Sequence, residues 1–298
     1  MMHRGMTALE ARHPGIIAAL PLLALGALLW GQLAIALHPW WTDGSYYDYG
    51  WLVPLLAIWC LWARWQNLGS ASRVLNAQSL SWIPLVVVVF AILWLTLVRL
   101  IERSDPLWRI PIWAHALTVV TLWHVILHHL TKRTWYFLPV TLLALTAVPL
   151  PPMLEGALIH RLTEAVLAYS VPISRFMGIP VEMEGTALAA GGRILQIDDG
   201  CSGIRSFQSL LMISVFFGEF FFLGWLQRIG MVVTGFLSAF VFNGLRTLTL
   251  TWIFFDWGEA HFHEFHDGVG MVSFALSAVA TYLVAWKLAG PAPQSAPS

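Results

Sequence analysis

Charge is what this chain has least of. Asp, Glu, Lys and Arg make up 11% of its 298 residues, 16 basic against 16 acidic. Soluble domains carry about 25% charged residues, so a surface that faces water on all sides is excluded. The even balance of signs excludes the basic footprint of a nucleic-acid binder. Cysteine is nearly missing too. Cys60 and Cys201 are the two present, and their separation rules out a disulfide framework or a CxxC metal pair. No small-residue cleavage site follows the first apolar run, which therefore reads as a retained span and not a removed signal peptide. What fills the chain instead is apolar: 58% of residues, with several runs of about 20 that could each cross a bilayer. The sequence describes an integral membrane protein.

The runs predict an all-α, multi-pass fold of eight transmembrane helices, at about residues 15–37, 50–65, 80–100, 110–130, 135–150, 201–223, 229–255 and 268–288. Threaded in this way, Arg4, Arg12, Arg64, Arg73, Lys132, Arg133, Arg228 and Lys287 share one side, which the positive-inside rule makes cytoplasmic. Arg103 and Arg109 depart from it. Both termini are then cytoplasmic. The stretch from Pro151 to Gly200 lies outside. Its first half, Met153 to Met177, spaces Leu154, Leu158, Ile159, Leu162, Val166 and Leu167 as an interfacial amphipathic helix, interrupted or ended by Pro172. Its second half suits a short β-hairpin around Ala190-Gly191-Gly192-Arg193. Residues 1–290 read as a single membrane domain and 291–298 as a disordered tail.

Three chemically capable residues converge on the outer side of this threading. Cys201 opens the sixth span, where a helix N-terminus and Arg205 four residues on would stabilise a thiolate. Arg246 lies inside the seventh span, about nine residues from its outer end. An arginine within a span is expensive and is a functional candidate by default; its plainer reading is a clasp with Asn243 on the same face. His266 closes the outer loop and opens the eighth span, with Asp267 as the alternative N-cap. A thiolate attacks carbonyl carbon, an imidazole moves protons, and a guanidinium holds a developing oxyanion. Taken alone, a free cysteine is most often a small buried hydrophobe, which is how Cys60 reads. His115, His124, His128 and His129 crowd the fourth span and read as packing or interfacial residues. Glu219 reads as structural.

The motifs Cys201-Ser202-Gly203-Ile204-Arg205-Ser206, Asn243-Gly244-Leu245-Arg246 and His266-Asp267-Gly268-Val269-Gly270 resemble, in this order, those of the exosortase/archaeosortase family of membrane-embedded cysteine transpeptidases. Tyr49-Gly50-Trp51-Leu52-Val53-Pro54 and Gly178-Ile179-Pro180-Val181 are similar to flanking segments of that family. The resemblance covers about residues 45 to 285. Asp198-Asp199-Gly200, where many members carry Glu-Ala, departs from it and bears on the subfamily. The resemblance implies a bacterial inner-membrane enzyme that recognises exported proteins by a C-terminal sorting signal of the PEP-CTERM kind. It implies Cys201 as nucleophile forming a thioester, Arg246 and His266 as partners in catalysis, and Ser202, Arg205 and Asn243 in support. A lipid or cell-surface precursor would be the acceptor, and no cofactor or metal is needed.

Two other readings compete. His261, His263 and His266 stand in an H-x-H-x-x-H pattern that could hold a metal with Glu264 or Cys201 added. A non-catalytic transporter or assembly subunit is the other, weakened because spans one to five lack buried charges for a substrate path apart from Arg99 and Arg109 near span ends.

Overall fold

The structure, a computed structural model, describes residues 14–42, 46–68, 82–131, 133–197 and 203–290. The chain divides into two compact units, Met1–Pro149 and Leu150–Ser298. The expected tail, 291–298, and Arg4, Arg12, Arg73 and Lys132 lie outside the described residues.

The first unit contains helices α1 (Pro14–Thr42), α2 (Leu52–Asn67), α3 (Trp82–Ser104), α4 (Arg109–Leu130) and α5 (Leu138–Leu145). Short 3-10 turns, Asp48–Trp51 and Thr134–Phe137, lead into α2 and α5. Helix α4 packs on α1 and α3, and α2 packs on α5. Indole and phenol donors seal the chain after α5: Trp41 Nε1 donates to the Ala147 carbonyl (3.1 Å), Tyr49 Oη to that of Thr146 (2.8 Å) and Trp113 Nε1 to that of Pro149 (2.7 Å). His115 is more than a packing residue. It is fully buried, and its Nδ1–H donates to the Glu102 carboxylate at 3.0 Å, which also accepts from Arg99 Nη1 at 2.9 Å. Glu102 and Arg64 are both buried, so Arg64 adds a buried charge within the expected second span and Glu102 one just beyond the third. Low dielectric makes such a cluster tolerable only when its members satisfy one another.

The second unit contains α6 (Pro152–Phe176), strands β1 (Glu182–Glu184), β2 (Ala187–Ala190) and β3 (Arg193–Gln196), and helices α7 (Ile204–Phe220), α8 (Trp225–Trp252) and α9 (Glu259–Ala289). A π-helical turn, Ile253–Trp257, extends α8. Helix α8 is the hub and packs against α6, α7 and α9. A methyl on Gly235 would stand 2.1 Å from Ser214 Oγ and 3.0 Å from the Leu210 carbonyl, so α7 and α8 come close because a side chain is missing there. Where α7 turns into α8, buried Glu219 pairs with Arg228, whose Nε also donates to the Leu223 carbonyl at 2.7 Å.

Four elements differ from expectation. Among the described residues, Leu20–Thr42, Arg109–Leu130, Trp225–Trp257 and Glu259–Ala289 are long and apolar enough to cross a bilayer. Of the other four expected spans, the second, fifth and sixth form helices of 16, 8 and 17 residues, shorter than the ~20 residues that a hydrocarbon core demands. The third is a 23-residue helix, long enough to cross, whose charges Arg99, Glu102 and Arg103 are confined to its last six residues.

Helix α6 runs through Pro172, which sits only four residues from its end, and buries Glu155, Thr163, Ser170 and Ser174 beside Val166 and Leu167. Met153, Leu154, Ile173 and Phe176 stay exposed. Its polar side chains therefore share the protein-facing side with the apolar ones.

The hairpin has a third strand. The sheet is antiparallel in the order β1-β2-β3, pairing Glu182 with Ala189 and Ala190 with Arg193. Gly191 and Gly192 take φ of 57° and 73°, the tight turn that only residues free of a Cβ enter easily. Beneath the sheet, Leu167, Val181, Leu188, Leu195, Ile197, Phe254 and Phe255 form one core, each fully buried Leu or Phe contributing about 1.5–3 kcal/mol.

Finally, α9 begins at Glu259, nine residues before the expected Gly268. The stretch read as an outer loop is helical on both sides of Gly258, and His266 lies two turns inside α9.

Candidate active site

Arg246 lies on α8, six residues and roughly 9 Å before the α-helix gives way to the π turn. His266 lies on α9, and α8 and α9 form the most extensive helix pair of the unit. Arg246 Nη2 stands 3.0 Å from His266 Nε2. A guanidinium can only donate, so Nε2 accepts and the ring proton sits on Nδ1. That proton points at Asp267 Oδ1, also 3.0 Å away. The imidazole is therefore held between a cation and a carboxylate, in the tautomer whose Nε2 lone pair faces Arg246. Phe262, one turn earlier on α9, packs its ring 5.5 Å from the imidazole and 5.7 Å from Phe254, which joins the His266 ring to the core beneath the sheet.

Three glycines border this pair. A Cβ on Gly270 would stand 3.4 Å from Arg246 Nε, so the guanidinium lies directly against the α9 backbone. A Cβ on Gly244 would fall 0.9 Å from Tyr169 Oη: the phenol of α6 occupies the space that a side chain would fill. A Cβ on Gly203 would stand 2.6 Å from Asn243 Cγ and Nδ2. Gly203 is the N-cap of α7, with φ of 85°, a left-handed conformation costing other L-residues roughly 1–2 kcal/mol. The start of α7 is thereby seated on buried Asn243, less than one helical turn from Arg246.

Cys201 and Ser202 lie outside the described residues. Helix α7 starts at Ile204, so the expectation that Cys201 opens the sixth span is moved by three residues, with Gly203 as the cap. Arg205 is the second residue of α7 and is exposed.

Two contributors escaped the sequence reading. Tyr169 is half-buried, its Oη is shielded from solvent with no hydrogen-bond partner among the described residues, and burial pushes its ionisation up to about 12. It fills the space beside Gly244. No spacing along the chain links residue 169 to residue 244. Arg193 is the second. Its guanidinium donates to the carbonyls of Phe254 (3.1 Å) and Phe255 and lies over both rings, satisfying carbonyls at the helix end. The sequence placed Arg193 in a turn but offered no sign of its partners.

The histidine triplet does not converge. At ~100° per residue, His261, His263 and His266 leave α9 in three directions. His261 Nδ1 bonds to the Trp257 carbonyl (3.1 Å) and His263 Nε2 lies 3.7 Å from Glu259. Among the described residues no group of three or more His, Cys, Asp or Glu side chains comes together to hold a metal.

A family model described as transmembrane exosortase matches residues 40–283. The chain belongs to the transmembrane exosortase family. No curated protein and no solved structure matches the chain. Exosortases are in general cysteine-type proteases or transpeptidases acting on exported proteins, and the match spans all three motifs around Cys201, Arg246 and His266.

Proposed function

We propose that this exosortase is a membrane-embedded cysteine endopeptidase and transpeptidase that cleaves C-terminal, PEP-CTERM-like sorting signals through a thioester on Cys201. The observation that carries the reading is the 3.0 Å contact between Arg246 and His266, 20 residues apart and on different helices. The α7 cap that follows Cys201 is wedged against Asn243 on the same helix as Arg246.

The chemistry follows from these groups. The Cys201 thiolate attacks the scissile carbonyl carbon, a C–S bond forms, and the carbonyl electron pair moves to oxygen. Arg246 turns its Nη2–H from His266 Nε2 to that oxyanion, since an Nε2 that has taken the thiol proton no longer accepts from a guanidinium. Collapse of the intermediate breaks the C–N bond, and His266, having taken the thiol proton on Nε2, returns it to the leaving amine. Asp267 stabilises the imidazolium between these steps. An amine or hydroxyl of a lipid or cell-surface precursor then gives its proton to His266 Nε2 and attacks the thioester carbon; the C–S bond breaks, and the Cys201 sulfur leaves with the electron pair and regains the proton from His266. The reading places the site on the outer side of the inner membrane and both termini in the cytoplasm.

Co-expression with a tagged protein bearing such a signal tests it. Cys201→Ala should fold and insert normally yet abolish processing; processing at the wild-type level overturns the mechanism. A thiol probe that cannot cross membranes should label Cys201 in intact spheroplasts, and labelling only after permeabilisation inverts the orientation.

A further inference from the structure

In an antiparallel pair, alternate residues turn their N–H and C=O toward the partner strand and the others turn them away. The two-residue Gly191-Gly192 turn makes Ala190 and Arg193 a hydrogen-bonded pair. Leu188 with Leu195 follows, and then Thr186 with Ile197, whose bond is 3.1 Å. Ile194 and Gln196 are therefore the residues whose N–H and C=O face away from β2. Among the described residues no fourth strand covers them, β3 being the sheet's edge, and neither backbone makes another hydrogen bond there. Their side chains do not close the edge. Ile194 is 61% exposed, and the Gln196 amide folds back to Thr186 Oγ1 at 2.9 Å.

The opposite edge is partly closed. The carbonyl of Val181, just before β1, accepts from Arg175 Nε at 2.8 Å, and its N–H bonds to Ile179. Strand β1 begins and ends with Glu182 and Glu184, charged side chains of the kind by which natural edges discourage pairing. The β3 edge is held rigid from below: Leu195 is in the core, and Arg193 is bound to the carbonyls of Phe254 and Phe255. An edge fixed in this way adds little ordering cost when a strand pairs with it.

We propose that the open edge of β3 is the substrate-docking strand, on which an extended peptide segment of the exported protein lies by β-augmentation. The inference rests on the assignment of Cys201 as nucleophile. Gln196 precedes Cys201 by five residues, so the thiol lies no more than ~18 Å of extended chain from a segment paired with Ile194 and Gln196. Two outward N–H and C=O pairs suit a short peptide that must leave after cleavage, and are few for a lasting pairing between enzyme copies. Backbone pairing grips any sequence, and the exposed Ile194 and Gln196 side chains add what side-chain preference there is.

Two experiments on the full-length protein in membranes decide this. In the first, a photo-crosslinking phenylalanine replaces Gln196 or, as control, Met183 of β1, in a Cys201→Ala background with a tagged sorting-signal reporter. The expected result is a reporter adduct from position 196 and none from 183. Adducts from 183 alone, or adducts only between two enzyme copies, overturn the proposal. This reads contact without chemistry, so it judges the edge even if Cys201 proves not to be the nucleophile.

In the second, Ile194→Pro and Gln196→Pro each remove one outward N–H and leave the bonds to β2 in place, since proline is tolerated on an edge. Each should raise the apparent KM for reporter on the order of tenfold, the worth of one hydrogen bond. Maximal processing at high reporter and labelling of Cys201 by a small thiol probe should be unchanged. Wild-type KM in both variants overturns the proposal.

Discussion

Gly203 and Asn243 touch across the α7–α8 interface, the glycine lacking the one carbon that would stand 2.6 Å from the asparagine amide. Two constraints meet at Gly203, a left-handed backbone and a missing side chain. Gly203→Ala should therefore cost about 1–2 kcal/mol through φ and about 1–3 more through overpacking, seen as a lower melting temperature in detergent. Adding Asn243→Ala should recover the second part and not the first. Full recovery in the double variant would mean that the backbone of Gly203 is not strained.

Tyr169 and Gly244 make a complementary pair. Gly244→Ala must expel the phenol and should destabilise by about 1–3 kcal/mol, with the loss largely relieved by Tyr169→Ala. Tyr169→Phe, by contrast, removes a shielded hydroxyl that has no partner among the described residues, and should be neutral or stabilising by about 1 kcal/mol. A marked loss of stability in Tyr169→Phe would show that the hydroxyl is engaged.

Arg246→Lys keeps the charge and loses the planar fork. If Arg246 holds both His266 and the oxyanion, processing should fall by about 10²–10³ in rate without loss of insertion. Near wild-type turnover reduces Arg246 to a structural role.

Breaking the buried Glu219–Arg228 pair leaves a carboxylate that is 2% exposed without its cation. Arg228→Ala should cost about 3–5 kcal/mol, measured by thermal unfolding. Replacing both residues with apolar ones should cost much less.

In the first unit, His115→Ala should lower stability but leave the KM for reporter unchanged, since among the described residues Glu102 then faces Arg99 alone. A selective change in KM would tie this buried cluster to substrate handling.

Much of this molecule was legible from residue order. Runs of apolar residues marked α1, α4, α8 and α9, because bilayer thickness imposes a minimum length that sequence displays directly. Gly191-Gly192 announced its turn, since two adjacent residues without a Cβ suit a left-handed pair. The start of α9 was not legible. His261, His263, Glu264 and Asp267 look like a polar loop, yet as helix residues they project outward while the backbone continues unbroken from Gly258. On α6 the named apolar face turns inward from Leu158 to Leu167, but Leu154 stays exposed and the buried Glu155, Thr163, Ser170 and Ser174 beside that face were not legible. Beside a bilayer, exposed Met153, Leu154 and Phe176 carry no penalty, so hydrophobicity alone does not say which side faces protein.

Sequence by itself determined that the chain is a membrane protein, that its family motifs stand in order, and which three residue types can do acyl-transfer chemistry. These follow from composition and local spacing. Only the tertiary structure decided that Arg246 meets His266, that Tyr169 fills the gap left by Gly244, and that β3 ends with an open edge. Each is a contact between segments distant in the chain, set by how closely helices approach at glycines and by which strand finds no partner, and no local pattern encodes either.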